Sequence, residues 1–148
     1  MIKLPKDSRE FVALLNSHHV KYLVIGGYAV AWHGHPRFTG DVDFLVESSP
    51  ENARALVSVL DSFGFGFLKL TETDFQKPAT VFQFGRPPHR IDLLTTADGI
   101  EFAEAWASRE SVVWDDLPVN VISKALLLKN KLATGRAQDL ADARWLQA

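Results

Sequence analysis

The stretch YLVIGGYAVAWHGHPRFTGDVDFLV, from Tyr22 to Val46, carries the pattern that decides the fold. An apolar run, Tyr22–Ile25, stops at Gly26-Gly27. A short helix is expected from Gly27 to His33, closed by Gly34 and broken by Pro36. A second apolar run then opens with Asp41-Val42-Asp43 and continues to Val46. Strand side chains alternate between faces, so Asp41 and Asp43 should share one face, with Cα atoms roughly 6–7 Å apart. Two adjacent carboxylates repel, and burying them unpaired costs several kcal/mol. Something positive should sit between them: a lysine, an arginine, or a hard cation with a preference for oxygen ligands such as Mg²⁺.

Outward from this stretch the chain reads as α/β. Upstream, Asp7 or Ser8 can cap a helix to about His18, with Phe11, Leu14 and Leu15 inward. Downstream, Ser48 or Ser49 with Pro50 and Glu51 opens a helix to about Ser62, with Ala55, Leu56, Val59 and Leu60 inward. Phe65–Leu70, Thr80–Phe84 and Arg90–Leu94 each have strand character. Gly85-Arg86-Pro87-Pro88 is a turn joining the last two as an antiparallel pair. Asp98 is a candidate cap for a helix from Gly99 to about Trp106. Ser111–Trp114 and Leu117–Val121 should form a hairpin across Asp115-Asp116. Two helices are expected to finish the chain, Ile122 to about Ala133 and Ala137 to about Leu146, hinged near Gly135. The sum is a mixed, twisted sheet with a functional site on one face, helices packed behind it and a C-terminal helical pair closing a cleft.

A third carboxylate sharpens the chemistry. In HRIDLLT, Asp92 stands inside an apolar strand, where aspartate is disfavoured. If that strand lies beside Asp41–Val46, then Asp41, Asp43 and Asp92 converge. Three convergent carboxylates can hold two Mg²⁺ ions about 4 Å apart, an arrangement suited to in-line phosphoryl displacement. Glycines at Gly26 and Gly27 let backbone approach a phosphate, and a helix start presents free N–H groups. Arg37 could grip phosphate oxygens in a bidentate manner. Each feature also has a structural reading. The glycine pair can be a tight strand-to-helix turn, Asp41-Val42-Asp43 can be turn chemistry after Thr39-Gly40, and Asp92 can pair with Arg90 or Arg86. His33 and His35 read as a loop pair and the lysines as a solvated helix face. Arg136 with Asp139 reads as a local ion pair, and the four tryptophans as core or interface.

Composition limits the classes of function. The chain has 148 residues and 47% hydrophobic content, which suits one domain, 1–148, with a sizeable core. Its net charge of −2 argues against a surface that coats nucleic acid. The absence of cysteine removes disulfides and thiolate metal sites and fits a cytoplasmic protein. No apolar run is long enough to span a membrane, and MIKLPKDSREF lacks the apolar block of a signal peptide.

In order, Gly26-Gly27, Asp41-Val42-Asp43 and Asp92 resemble the signature of the DNA polymerase beta-like nucleotidyltransferases. The chain looks most like the minimal members, the AbiEii-like toxins and the small antibiotic nucleotidyltransferases; PRFTGDVDF is similar to their Arg-x-Thr-x-Asp-x-Asp stretch. The resemblance implies transfer of an NMP from an NTP, ATP among the candidates, to a hydroxyl acceptor with release of pyrophosphate. Asp41, Asp43 and Asp92 would be the catalytic and metal-binding residues, holding two Mg²⁺, with Mn²⁺ as a substitute. Gly26, Gly27, Arg37 and Thr39 would bind nucleotide. A C-terminal basic helix would complete the site, here with Lys124 and Lys131, seven residues apart and so on one helical face. The acceptor is left open between tRNA, a protein and a small molecule. An antitoxin or homodimer partner is compatible, as is an inactive nucleotide-binding module of the same fold. Gly27 replaces a serine of many members, and Gln138 stands where a lysine often precedes the aspartate.

Overall fold

The computed structural model describes residues 2–34, 39–86 and 88–147. Six strands form one mixed sheet: β1 (Tyr22–Ile25), β2 (Val42–Val46), β3 (Val81–Arg86), β4 (His89–Leu94), β5 (Glu110–Trp114) and β6 (Leu117–Val121), in spatial order β3-β4-β2-β1-β6-β5. Among the described residues the α-helices are α1 (Lys6–Ser17), α2 (Gly26–Trp32), α3 (Pro50–Ser62), α4 (Phe102–Ala107), α5 (Lys124–Thr134) and α6 (Ala137–Gln147).

β1 is apolar at every position and buried at every position, as a strand covered on both faces must be. It pairs antiparallel with β2 and parallel with β6, while β2 pairs parallel with β4. The alternation of strand side chains then sorts the sheet into two faces. Phe44 and its partner Val24 turn toward α1, where Phe11 packs at a tilt on Phe44 (5.7 Å between ring centroids) and edge-on against Phe63 at the end of α3 (5.2 Å). Ile25, Asp43, Asp92 and Leu94 therefore face the other way.

Asn52 ties α3 to the sheet. It is 5% exposed and makes three bonds to backbone: its Oδ1 accepts from Lys21 N at 2.8 Å, and its Nδ2 donates to Lys21 O at 3.0 Å and Glu47 O at 2.7 Å. One amide side chain thus satisfies the start of β1 and the end of β2 from a single helical turn. Ser49 caps that helix by accepting from Asn52 N, with Pro50 at its first position, as the sequence predicts.

Several expectations are corrected. Phe65–Leu70 is no strand. Its centre, Gly66–Leu68, is a 3-10 turn. Glycines at 64 and 66 weaken extended pairing, and the turn folds Phe65 back onto Phe63 at 5.1 Å and Phe84 at 5.3 Å. Asp98 caps no helix: Gly99, at φ +75°, turns the chain, and α4 starts only at Phe102. At α1 the N-cap is Pro5, without a side-chain bond, and Ser8 is buried rather than capping. β3 continues through Gly85 and Arg86, so the turn to β4 is shorter than the expected four residues. The Asp115-Asp116 hairpin is present, both aspartates adopting positive φ (51° and 65°), the twist that a two-residue loop requires.

Replacing Asn52 with leucine should destabilise the protein by about 2–4 kcal/mol, since three backbone groups lose buried partners together. Urea unfolding of the variant against the parent measures it. A change below about 0.5 kcal/mol, the range of an ordinary surface substitution, would show that Asn52 is not the tie described.

Candidate active site

A cleft of about 820 Å³ opens on the sheet face that carries the carboxylates. One wall comes from the end of β1 and the approach to β2, including Gly26, Gly27, Thr39, Asp41 and Asp43; the other comes from α5 and α6, including Asn130, Lys131 and Asp139, with Arg136 from the turn between them. The parallel pairing of β2 with β4 sets Asp43 directly beside Asp92. Asp92 is 8% exposed, and its Oδ1 is buried with no hydrogen-bond partner. Burial pushes the Asp43 carboxyl up to about 7, and the neighbouring charge of Asp92 adds to the rise. Asp92 is raised as well, first by burial. These are two acids that the fold holds together against their mutual repulsion.

Asp41 behaves differently. It lies just before β2, and its side chain turns to Arg90: Oδ1 accepts from the Arg90 backbone N–H at 3.2 Å, and Oδ2 accepts from the guanidinium at 2.9 Å. The expected convergence of three carboxylates is thus met by two, with the third beside them on an arginine. Among the described residues no three His, Cys, Asp or Glu side chains are gathered tightly enough to hold a metal ion. The reason is electrostatic: a third like charge gains more from a guanidinium in reach than from joining a repelling pair. The donor set nevertheless fits a hard cation. It offers carboxylate oxygens, one of them buried and unpartnered, and Asp41 lines the same cleft.

Gly26 sits at φ +68°, and a Cβ there would overlap Asp43 Oδ2. The first glycine is thus required twice, by backbone conformation and by the carboxylate it touches. Gly27 is buried in the first turn of α2. Gly40 likewise packs on the Pro88 carbonyl, where a side chain would overlap.

On the opposite wall Lys131 is 6% exposed and pairs with Asp139 at 2.9 Å and Asp142 at 3.2 Å. Burial works against the Asp139 charge, but bonds from Thr134, Lys131 and Arg136 outweigh it and hold the carboxyl down to about 2. Lys131 also lies near enough to Asp43 to favour its charged form. Arg136 reaches Asp139 at 2.6 Å, the local pair read from sequence, while remaining largely exposed at the cleft. Lys124, by contrast, is exposed at the first turn of α5 and is not among the residues lining the cleft. Seven residues of helix put it about 10 Å from Lys131 along the axis, so a shared face does not bring both to one site. Thr39 lines the cleft; Arg37 and His35 lie outside the described residues. His33 is engaged by the Ile122 carbonyl at 2.8 Å.

Sequence reasoning missed Asn130 and Asp98, which also line the cleft. Asn130 donates to the Asp98 carbonyl at 2.9 Å and ties α5 to the segment after β4. An asparagine inside the helical pattern of α5 was the available signal, since that residue favours caps over helix interiors.

No family model and no curated protein sequence matches the chain. Solved structures do. A nucleotidyltransferase-like antigen of Paracoccidioides brasiliensis, 18% identical, aligns over 97% of this chain and 77% of its own, with a TM-score of 0.52. A protein of Thermotoga maritima assigned as a nucleotidyltransferase, 16% identical, aligns over 95% and 90%, with a TM-score of 0.62. The lincosamide antibiotic adenylyltransferase LnuA, solved with lincomycin, is 13% identical over 99% of both chains, with a TM-score of 0.55. The chain has the fold of the minimal nucleotidyltransferases. No helix among the described residues is long and apolar enough to cross a membrane.

Two outcomes test this geometry. Mg²⁺ should raise the melting temperature of the parent, by the equivalent of about 2.7 kcal/mol at a hundredfold excess over its dissociation constant. Asp43→Asn should abolish that rise while itself stabilising the protein without added Mg²⁺, because it removes a buried like-charge contact. Equal Mg²⁺ responses in parent and variant would discard the acid pair as a cation site. Separately, Gly26→Ala should cost about 1–2 kcal/mol from backbone conformation alone, and its displacement of Asp43 should weaken the Mg²⁺ response as well. A variant with parental stability and parental response would refute the contact.

Proposed function

We propose that the protein is a Mg²⁺-dependent nucleotidyltransferase that moves the NMP of an NTP, with ATP as donor, to a hydroxyl of a small molecule and releases pyrophosphate. The observation that carries this reading is the in-register pair Asp43 and Asp92, of which Asp43 lines a cleft edged by Gly26 and faced by Lys131, with Asp92 beside it on the next strand. The fold likeness adds to it. One neighbour is an adenylyltransferase bound to lincomycin, and another, ANT(2'')-Ia, was solved with adenylyl-tobramycin, so donor and acceptor classes are taken by analogy with those proteins.

Asp43 and Asp92 would hold the cation, with Asp41 joining from the lip of the cleft. Bound there, Mg²⁺ or Mn²⁺ would offset phosphate charge and favour the ionised acceptor hydroxyl. Asp92, buried and with a free Oδ1, would accept the hydroxyl proton. Backbone at Gly26, free of a side chain, would let the triphosphate approach Asp43 closely. Lys131 and Arg136 would supply positive charge across the cleft, Arg136 from its exposed position beside Asp139. The proton leaves the acceptor as the oxygen attacks the α-phosphorus, and pyrophosphate departs with the bridging oxygen.

Calorimetric titration with ATP, with and without Mg²⁺, tests the binding half. Metal-dependent binding by the parent, lost in Asp43→Asn/Asp92→Asn, is expected. Transfer from labelled ATP to an aminoglycoside or lincosamide tests the other half, with a fall of roughly 10²-fold or more in the variant. ATP binding that ignores both Mg²⁺ and the double substitution would reject the reading.

A further inference from the structure

We propose that Arg90 is a positioning residue that competes with the divalent cation for Asp41 and so sets how tightly the metal-free site accepts a cation. This rests on the proposed function, because the cation is the one that reading requires. Three observations carry it. Asp41 lines the same cleft as Asp43, and both of its carboxylate oxygens accept bonds from Arg90. The bond is made by a strand neighbour: Arg90 lies on β4, two residues before Asp92, so its Cβ leaves the same face as Asp92. Finally, the Arg90 Nε is buried and has no hydrogen-bond partner, so the guanidinium is held at Asp41 by its outer nitrogen and is incompletely satisfied there.

The consequence is a displacement step. A cation that takes Asp41 as ligand must draw its carboxylate from the Arg90 guanidinium, while the backbone N–H of Arg90 can keep its bond to Oδ1. The guanidinium therefore acts as a resident counter-ion. It neutralises Asp41 when no metal is bound, and it opposes a dication placed beside Asp43 and Asp92 by like-charge repulsion. Lys131, on the opposite wall, opposes it in the same sense but is committed to Asp139 and Asp142. Among the described residues, Arg90 is bonded to Asp41, a prospective ligand.

Mn²⁺ affinity, read by titration calorimetry without nucleotide, tests this on the parent, Arg90→Gln and Arg90→Lys. Arg90→Gln keeps the backbone N–H and removes the charge; it should bind Mn²⁺ about tenfold more tightly or better. Arg90→Lys keeps the charge and should stay within threefold of the parent. Weaker or unchanged binding by Arg90→Gln, with the parent binding normally, overturns the competition while leaving the proposed function in place. Tighter binding by both variants also overturns it, since charge would not be the cause. Absence of Mn²⁺ binding by the parent and by both variants overturns it together with the two-carboxylate site itself. Circular dichroism melts of the three proteins show that each is folded when titrated.

Discussion

Two carboxylates set side by side by the register of parallel strands carry a standing electrostatic cost, and the cleft is organised around it. Asp43 and Asp92 cannot move apart, because Val42, Phe44, Ile91 and Leu93 on the same strands are locked into the core. Relief has to come from the surroundings. Burial raises both carboxyls, Arg90 engages the third aspartate, and Lys131 faces Asp43 from α5. A glycine at position 26 is the remaining requirement, since any side chain there would meet the Asp43 carboxylate.

The opposite wall holds an attractive cluster instead. Lys131 is buried among Asp139 and Asp142, and these bonds join α5 to α6 across Gly135, whose φ of +69° makes the corner between the helices. A buried ion pair adds little net stability, but losing one partner leaves an unpaired buried charge, which costs about 3–5 kcal/mol. The cluster thus ties the two helices together while adding little net stability.

Much of this was legible in the sequence because the signals are local. A four-residue apolar run ending in glycines marked β1 to the residue, Ser49 with Pro50 marked the start of α3, and Asp92 in an apolar strand flagged itself by being out of place. The pairing of β2 with β4 was the condition under which Asp92 would have a reason to be there. The misreadings share a cause. Phe65–Leu70 has strand composition, yet its aromatic rings found partners in Phe63 and Phe84 without sheet pairing. Asp98 has capping chemistry, yet it lies at a glycine turn and lines the cleft. Local propensity yields where a tertiary contact is worth more.

The residue order by itself determined the α/β class and the strands that bear the acids, because alternation and capping act within a few residues. Tertiary structure alone decided how the charges are shared. Whether Asp41 joins Asp43 and Asp92 or turns to Arg90, and whether a lysine of α5 is exposed like Lys124 or buried like Lys131, depends on distances between elements far apart in the chain. Electrostatic energies vary with separation and burial, and neither is written in sequence spacing.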